Sequence, residues 1–156
     1  AFILDSYAFS TEGIIGFSIG KKNKKLFSNT VKNSFILSSF TGALISLIYF
    51  FVNNAFINFM TDIESVKNIS YQFSIWLILL PFISSFCYQF DGIFIGASQT
   101  KELRDAMFIS VILYLLSSYF LVQNFGNLGL WISFTMFLFL RAFTLGFYFK
   151  RIYLKF

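Results

Sequence analysis

Histidine is absent from this 156-residue sequence, and cysteine and proline each occur only once. The lack of histidine excludes most acid/base and nucleophilic catalytic sites and most zinc and haem sites. Cys87 cannot form an intrachain disulfide, and it belongs to no cluster of metal ligands. Charged residues are also scarce, at 12%, whereas a soluble domain usually has about 25%. The sequence therefore predicts no cofactor and no conventional enzyme active site.

Apolar residues make up 57% of the sequence, and they form runs longer than the core of a soluble domain needs. A helix needs about 20 apolar residues to cross the hydrocarbon layer of a bilayer. Runs of this length without alternating polarity are typical of helices rather than of barrel strands. The sequence thus predicts an all-α polytopic transmembrane helix bundle, with spans at about 1–20, 35–57, 71–98, 106–122 and 128–149. The first run resembles the distal part of a span, so we expect a fragment of a longer protein.

The basic residues flank the predicted spans, and they lie on one side if the spans alternate in direction. Five lysines fall within 21–32, two basic residues within 100–105 and three after residue 149, whereas the opposite loops contain only Lys67. By the positive-inside rule, the basic loops and the C-terminus are cytoplasmic. The net charge of +5 therefore indicates topology rather than a nucleic-acid partner. We expect a multi-pass protein of the bacterial cytoplasmic (inner) membrane.

Four ionisable residues lie within the predicted spans: Asp5, Glu12, Asp91 and Arg141. Each costs about 2.5–3.5 kcal/mol at the centre of a transmembrane helix, so each should face the bundle interior or water. Asp5 and Glu12 are seven residues apart and therefore share one helix face. They form either a hydrogen-bonded structural pair, with Arg141 as the structural counter-charge, or a protonation or cation site. Arg141 is expected to pair with a carboxylate of another span in preference to binding substrate.

Asp91 has neighbours that suggest a site as well as a helix contact. Tyr88 lies three residues earlier on the same face, so its hydroxyl could hydrogen-bond the carboxylate or share a cation with it. Gly92 and Gly96 form a small-xxx-small pair that allows another helix to approach closely. Pro81 is predicted to kink the same helix. The pattern is compatible with a packing contact that contains one satisfied aspartate, or with a gated cation site.

Three blocks of the sequence resemble the C-terminal half of the multidrug and toxic compound extrusion (MATE) transporters, in particular the DinF-like branch. They are DSYAFSTEGIIGFSIGKKN at 5–23, FDGIFIGASQTKELRDAM at 90–107 and FGNLGLWISFTMFLFLRAFTLG at 125–146. The resemblance implies a twelve-span protein of two six-helix lobes, of which this chain is the C-lobe from the end of span eight. It implies an H⁺- or Na⁺-coupled antiporter that exports amphipathic organic cations by alternating access. The aspartate of the family's C-lobe cation site matches Asp91, where Na⁺ is possible, and Gln99 departs from the branch's usual basic residue.

Other functions stay open at this point. A lipid-linked oligosaccharide flippase of the same superfamily should have basic residues around its cavity to hold pyrophosphate, whereas acids outnumber Arg141 in these spans. A membrane enzyme commonly has histidine, paired aspartates or a Ser/Lys pair near the interface, and the sequence has none of these arrangements. A truncated, non-functional fragment is the third possibility. The expected partners are amphipathic cationic small molecules, the lipid bilayer and the missing N-terminal lobe.

Overall fold

The computed structural model describes residues 1–153, and within them every regular element is an α-helix. The helices, in chain order, are α1 (Phe2–Gly20), α2 (Lys24–Met60), α3 (Glu64–Gly96), α4 (Thr100–Phe125) and α5 (Asn127–Tyr153). The predicted all-α fold class is confirmed. Lys155, one of the three basic residues predicted for the C-terminal tail, lies outside the described residues.

Four of the five helices, α2 to α5, are long and apolar enough to cross a membrane. Their outward faces are apolar, with Phe51, Phe143 and Phe147 each nearly three-quarters exposed. Because exposed phenylalanines at this density need an apolar solvent, the helices agree with the predicted polytopic membrane bundle. Helix α1 is not among the four, because two acids in its 19 residues lower its hydropathy. The assignment of residues 1–20 to the distal part of a transmembrane span remains a prediction.

The helices extend beyond the predicted spans, and the connections are correspondingly short. Helix α2 has 37 residues, which at 1.5 Å per residue is about 55 Å, and it includes residues 26–34, which precede the span predicted at 35–57. The predicted loop at 123–127 is reduced to Gly126 between α4 and α5. Hydropathy marks only the part of a helix that lies in hydrocarbon, whereas the helix hydrogen bonds continue into the polar region at each end.

Two similar turns end α1 and α3 at the same end of the bundle. Each helix ends at a glycine, and the residue two positions later has a positive φ: 50° at Lys22 and 54° at Ser98. The Asn23 N–H donates to the Ser18 carbonyl, and the Gln99 N–H donates to the Phe94 carbonyl. These bonds satisfy helix carbonyls that would otherwise be unpaired. We call the end of the bundle that contains these turns and the start of α4 the basic end, and the other the opposite end.

Helix α3 is central, because it contacts each of the other four helices. Its closest neighbour is α1: a Cβ added at Gly92 would overlap the Ala8 backbone, and one added at Gly96 would overlap the Glu12 carbonyl. The small-xxx-small pair thus faces α1, the helix that contains Asp5 and Glu12. On another side of α3, Gly42 of α2 lies against Pro81, with an added Cβ 2.9 Å from the Pro81 carbonyl oxygen. Glycines therefore set the closest approaches to α3.

Candidate functional site

The side chains of Asp91 and Arg141 form an ion pair that joins α3 to α5. Arg141 Nη2 donates to Asp91 Oδ2 at 2.6 Å, and the two side chains are only 18% and 16% exposed, respectively. The contact uses one atom of each group: Asp91 Oδ1 and Arg141 Nε are buried and have no hydrogen-bond partner within residues 1–153. The pair therefore keeps a free acceptor and a free donor.

This ion pair lines a cavity of about 260 Å³ between α3 and α5. Tyr88 and Ser84 add hydroxyl groups to the lining, and Phe134 and Phe137 of α5 add aromatic surface. Cys87 also lines the cavity, and its thiol donates to the Leu138 carbonyl at 3.0 Å. A cavity of this size holds several waters or a hydrated cation. The ion pair thus borders a space that can hold a small ligand, and its two unpaired atoms are buried beside that space.

The three carboxylate candidates and Tyr88 lie at different distances from the cavity. Tyr88 shares the cavity with Asp91 but forms no side-chain hydrogen bond to it; the partner of Asp91 is Arg141. Asp5 is half-buried on α1, and its charge acts on both Tyr88 and Asp91. Glu12 lies two turns further along α1, at the level of Gly96, and outside the cavity.

The possible role of Arg141 as counter-charge to Asp5 and Glu12 is corrected by this geometry. Arg141 pairs with Asp91, and within residues 1–153 neither carboxylate of α1 forms an ion pair. The physical reason is the central position of α3. It contacts α1 on one side and α5 on another, whereas α1 and α5 do not pack together.

Two buried amides are absent from the predicted set of site residues. Gln89 is fully buried, accepts a hydrogen bond from Thr11 at 3.0 Å, and leaves Nε2 without a partner in the described residues. Asn53 of α2 is 8% exposed, and its Oδ1 is likewise unpaired. The sequence does indicate both residues, since each is a polar residue within an apolar run. They are absent from the predicted site because the candidates were chosen for their formal charge, and amides are uncharged.

A transition-metal or zinc site has no support in the part of the chain that the structure describes. Within residues 1–153, no three His, Cys, Asp or Glu side chains are grouped so that they could hold a metal ion. The oxygens of Asp91, Tyr88 and Ser84 that line the cavity are instead the hard donors that suit a proton or an alkali cation.

A sequence model of the MatE family matches residues 1–121. The chain is also 27% identical over 151 residues to DNA damage-inducible protein F of Escherichia coli (strain K12), in an alignment that covers 97% of this chain and 33% of that protein. The chain thus spans about a third of the length of this relative. No solved structure matches the chain. Members of the family are transporters and not enzymes, which confirms that prediction. The sequence blocks around Asp91 and Arg141, the helical membrane bundle and the match over most of the residues agree: the chain belongs to the MatE family of multidrug and toxic compound extrusion transporters.

Proposed function

We propose that this chain is the C-terminal lobe of a cation-coupled antiporter, driven by H⁺ or Na⁺, that exports amphipathic organic cations by alternating access. The observation that carries the proposal is the Asp91–Arg141 ion pair, which is largely buried, lines a cavity and is bonded through only one atom of each partner. A buried charge pair is costly unless its remaining groups are also bonded. An incompletely bonded pair is therefore suited to exchange one partner for another.

In this mechanism, Arg141 acts as a tethered cation that competes with the coupling ion for Asp91. A proton or Na⁺ that binds the free Asp91 oxygen weakens the hold of the carboxylate on the guanidinium. The contact between α3 and α5 then loses its ion pair, so cation binding favours a different arrangement of these helices. The nearby charge of Asp5 increases the attraction of the cavity for cations.

The same geometry argues against the flippase alternative. A site for pyrophosphate needs free basic groups, whereas Arg141 is the only basic residue in the predicted spans and is paired with Asp91. The exposed aromatic faces of the helices suit amphipathic substrates and the lipid bilayer, and the missing N-terminal lobe would cover part of them. The basic end is proposed to face the cytoplasm of a bacterial inner membrane.

The test is export of a fluorescent organic cation by cells that express the complete protein, measured across a pH and Na⁺ series. Asp91→Asn removes the charge that binds the coupling ion and should reduce export at least tenfold. Arg141→Met removes the competitor, so half-maximal export should require about tenfold less coupling ion. Asp105→Asn is the matched control, because Asp105 is exposed at the basic end and pairs with Arg104. Unchanged ion dependence in Asp91→Asn would exclude the coupling role of this site.

A further inference from the structure

A second pocket, of about 420 Å³, opens at the opposite end of the bundle between α2, α3 and the start of α5. It shares no lining residue with the Asp91 cavity. Asn53, which lines it, is seven residues before the end of α2, or about 10 Å along the helix axis. The pocket therefore lies near the membrane interface, where amphipathic molecules concentrate.

Five polar residues line this pocket, namely Thr61, Ser70, Ser74, Asn127 and Asn53, and of these Asn53 has a buried atom without a hydrogen-bond partner in the described residues. The residue is 8% exposed, and its Oδ1 is buried without a hydrogen-bond partner within residues 1–153. A desolvated acceptor with no donor destabilises the folded protein, so a structural role alone does not account for it. The neighbouring Asn54 is exposed. Asn53 lines the pocket, and no donor within residues 1–153 bonds its oxygen, so a rotation of the amide would bring the oxygen to a donor held in the pocket.

One wall of the pocket consists of stacked aromatic rings. Phe73 and Trp131 both line it, with ring centroids 6.4 Å apart and planes 20° apart. Trp76 extends the stack, with its ring 6.4 Å from that of Trp131 at an interplanar angle of 8°. The face of a tryptophan ring attracts cations, and more strongly where water is excluded. The wall thus favours a donor that also has a positive charge.

The charged residues at the pocket mouth also favour a positively charged ligand. Thr61 lines the pocket and is followed by the exposed Asp62. Lys67 is the only basic residue between positions 33 and 100, and it pairs with Glu64 at 3.5 Å. Asp62 has no ion pair in the described part of the chain. The mouth is therefore negative and attracts cations from solution.

We propose that this pocket binds a primary ammonium group attached to an apolar body. The ammonium N–H donates to Asn53 Oδ1, its charge faces the Trp131 ring, and the apolar body packs against Phe56 and Leu77. A free amphiphilic amine and the headgroup of an amino-phospholipid share this chemistry. The site is separate from Asp91, and binding there does not depend on transport.

The experiment is calorimetric titration of the purified complete protein in detergent with two probes. 4-Phenylbutylammonium has three N–H donors, and 4-phenylbutyltrimethylammonium has the same apolar body and charge but none. An Asp91→Asn background removes the charged cavity as a competing site. We expect the ammonium probe to bind about tenfold more tightly than the trimethyl probe. Equal affinities, or no binding of either probe, would overturn the proposal and leave water as the partner of Asn53.

Two substitutions and a control locate the binding. Asn53→Leu should reduce the affinity for the ammonium probe about tenfold and leave the trimethyl probe unchanged, whereas Asn54→Leu should change neither. Trp131→Leu should weaken both probes, because both present a cation to the ring. A loss that is equal in Asn53→Leu and Asn54→Leu would contradict the assigned position. A cysteine crosslink that places another segment of the protein in the pocket would also contradict the assigned position.

A lipid arm distinguishes the two sources of the ammonium group. In nanodiscs, replacing phosphatidylcholine by phosphatidylethanolamine should weaken probe binding if the headgroup occupies the site, and unchanged affinity identifies free amines as the ligands. Either result retains the ammonium site. Unchanged export and ion dependence in Asp91→Asn, with intact probe binding, would contradict the proposed function alone. Lost discrimination between the probes, with the expected loss of export in Asp91→Asn, would contradict this site alone.

Discussion

The two ends of the bundle are packed differently. At the basic end, all five helices contribute to one buried cluster that consists of Ile15, Phe27, Ile93, Phe94, Ala97, Ala106, Leu145 and Ile152. At the opposite end, the first half of α3 has no buried residue, and an open pocket separates α2 from α5. The Asp91–Arg141 pair lies between the two regions. The comparison indicates that the basic end holds the helices together, whereas the opposite end can change shape and admit ligands.

The largest expected effect tests this contrast in packing. Phe27 is fully buried at the basic end, and its ring lies 6.1 Å from that of Phe149 and 6.2 Å from that of Tyr153. Phe27→Ala should lower the free energy of unfolding by about 4 kcal/mol, because the cavity removes contacts that lipid cannot replace. Phe56, at the opposite end, is 39% exposed, and Phe56→Ala should cost less than about 1 kcal/mol.

Unfolding of the purified protein in detergent, followed by circular dichroism, measures both variants. Similar losses in Phe27→Ala and Phe56→Ala would show that the ends are equally well packed. The contrast between the two ends would then have no basis in stability.

The helical fold follows from the sequence, because a bilayer leaves few solutions for long apolar runs. Asp91 and Arg141 could be selected because charge within a span is costly. The sequence predicts that Arg141 pairs with a carboxylate of another span but not with which one, since Asp91 and Arg141 are 50 positions apart and meet only through the packing of α5 on α3. The unpaired amides of Asn53 and Gln89 were missed because an uncharged side chain costs less than a charge, so it stands out less from its apolar neighbours.

A second prediction concerns the contact that links α1 to the centre of the bundle. Gly92→Ala places a methyl group against the Ala8 backbone, which cannot move aside as a flexible side chain would. We expect a loss of about 2 kcal/mol in the free energy of unfolding, because α1 must shift away from α3. Gly13 is the matched control, since nothing lies within 4 Å of an added Cβ there. Gly13→Ala should stabilise the protein by up to about 1 kcal/mol through helix propensity.

Thermal unfolding in detergent again provides the measurement, and the two alanine variants should shift the midpoint in opposite directions. A Gly92→Ala protein as stable as Gly13→Ala would mean that α1 does not approach α3 closely. Asp5 would then lie too far from Asp91 to influence it.

The smallest expected effect concerns the stability of the opposite end, where Asn53 is buried. If Asn53 Oδ1 is unpaired there in the absence of ligand, then Asn53→Leu removes a buried polar atom that has no partner and should stabilise the protein by about 1 kcal/mol. Most substitutions of a buried residue destabilise, so a gain is diagnostic of an unsatisfied group. Asn54→Leu, on the exposed face, should stay within about 0.5 kcal/mol of the unsubstituted protein. A loss of stability in Asn53→Leu would show that another group already satisfies the amide, and the opposite end would then be as fully bonded as the basic end.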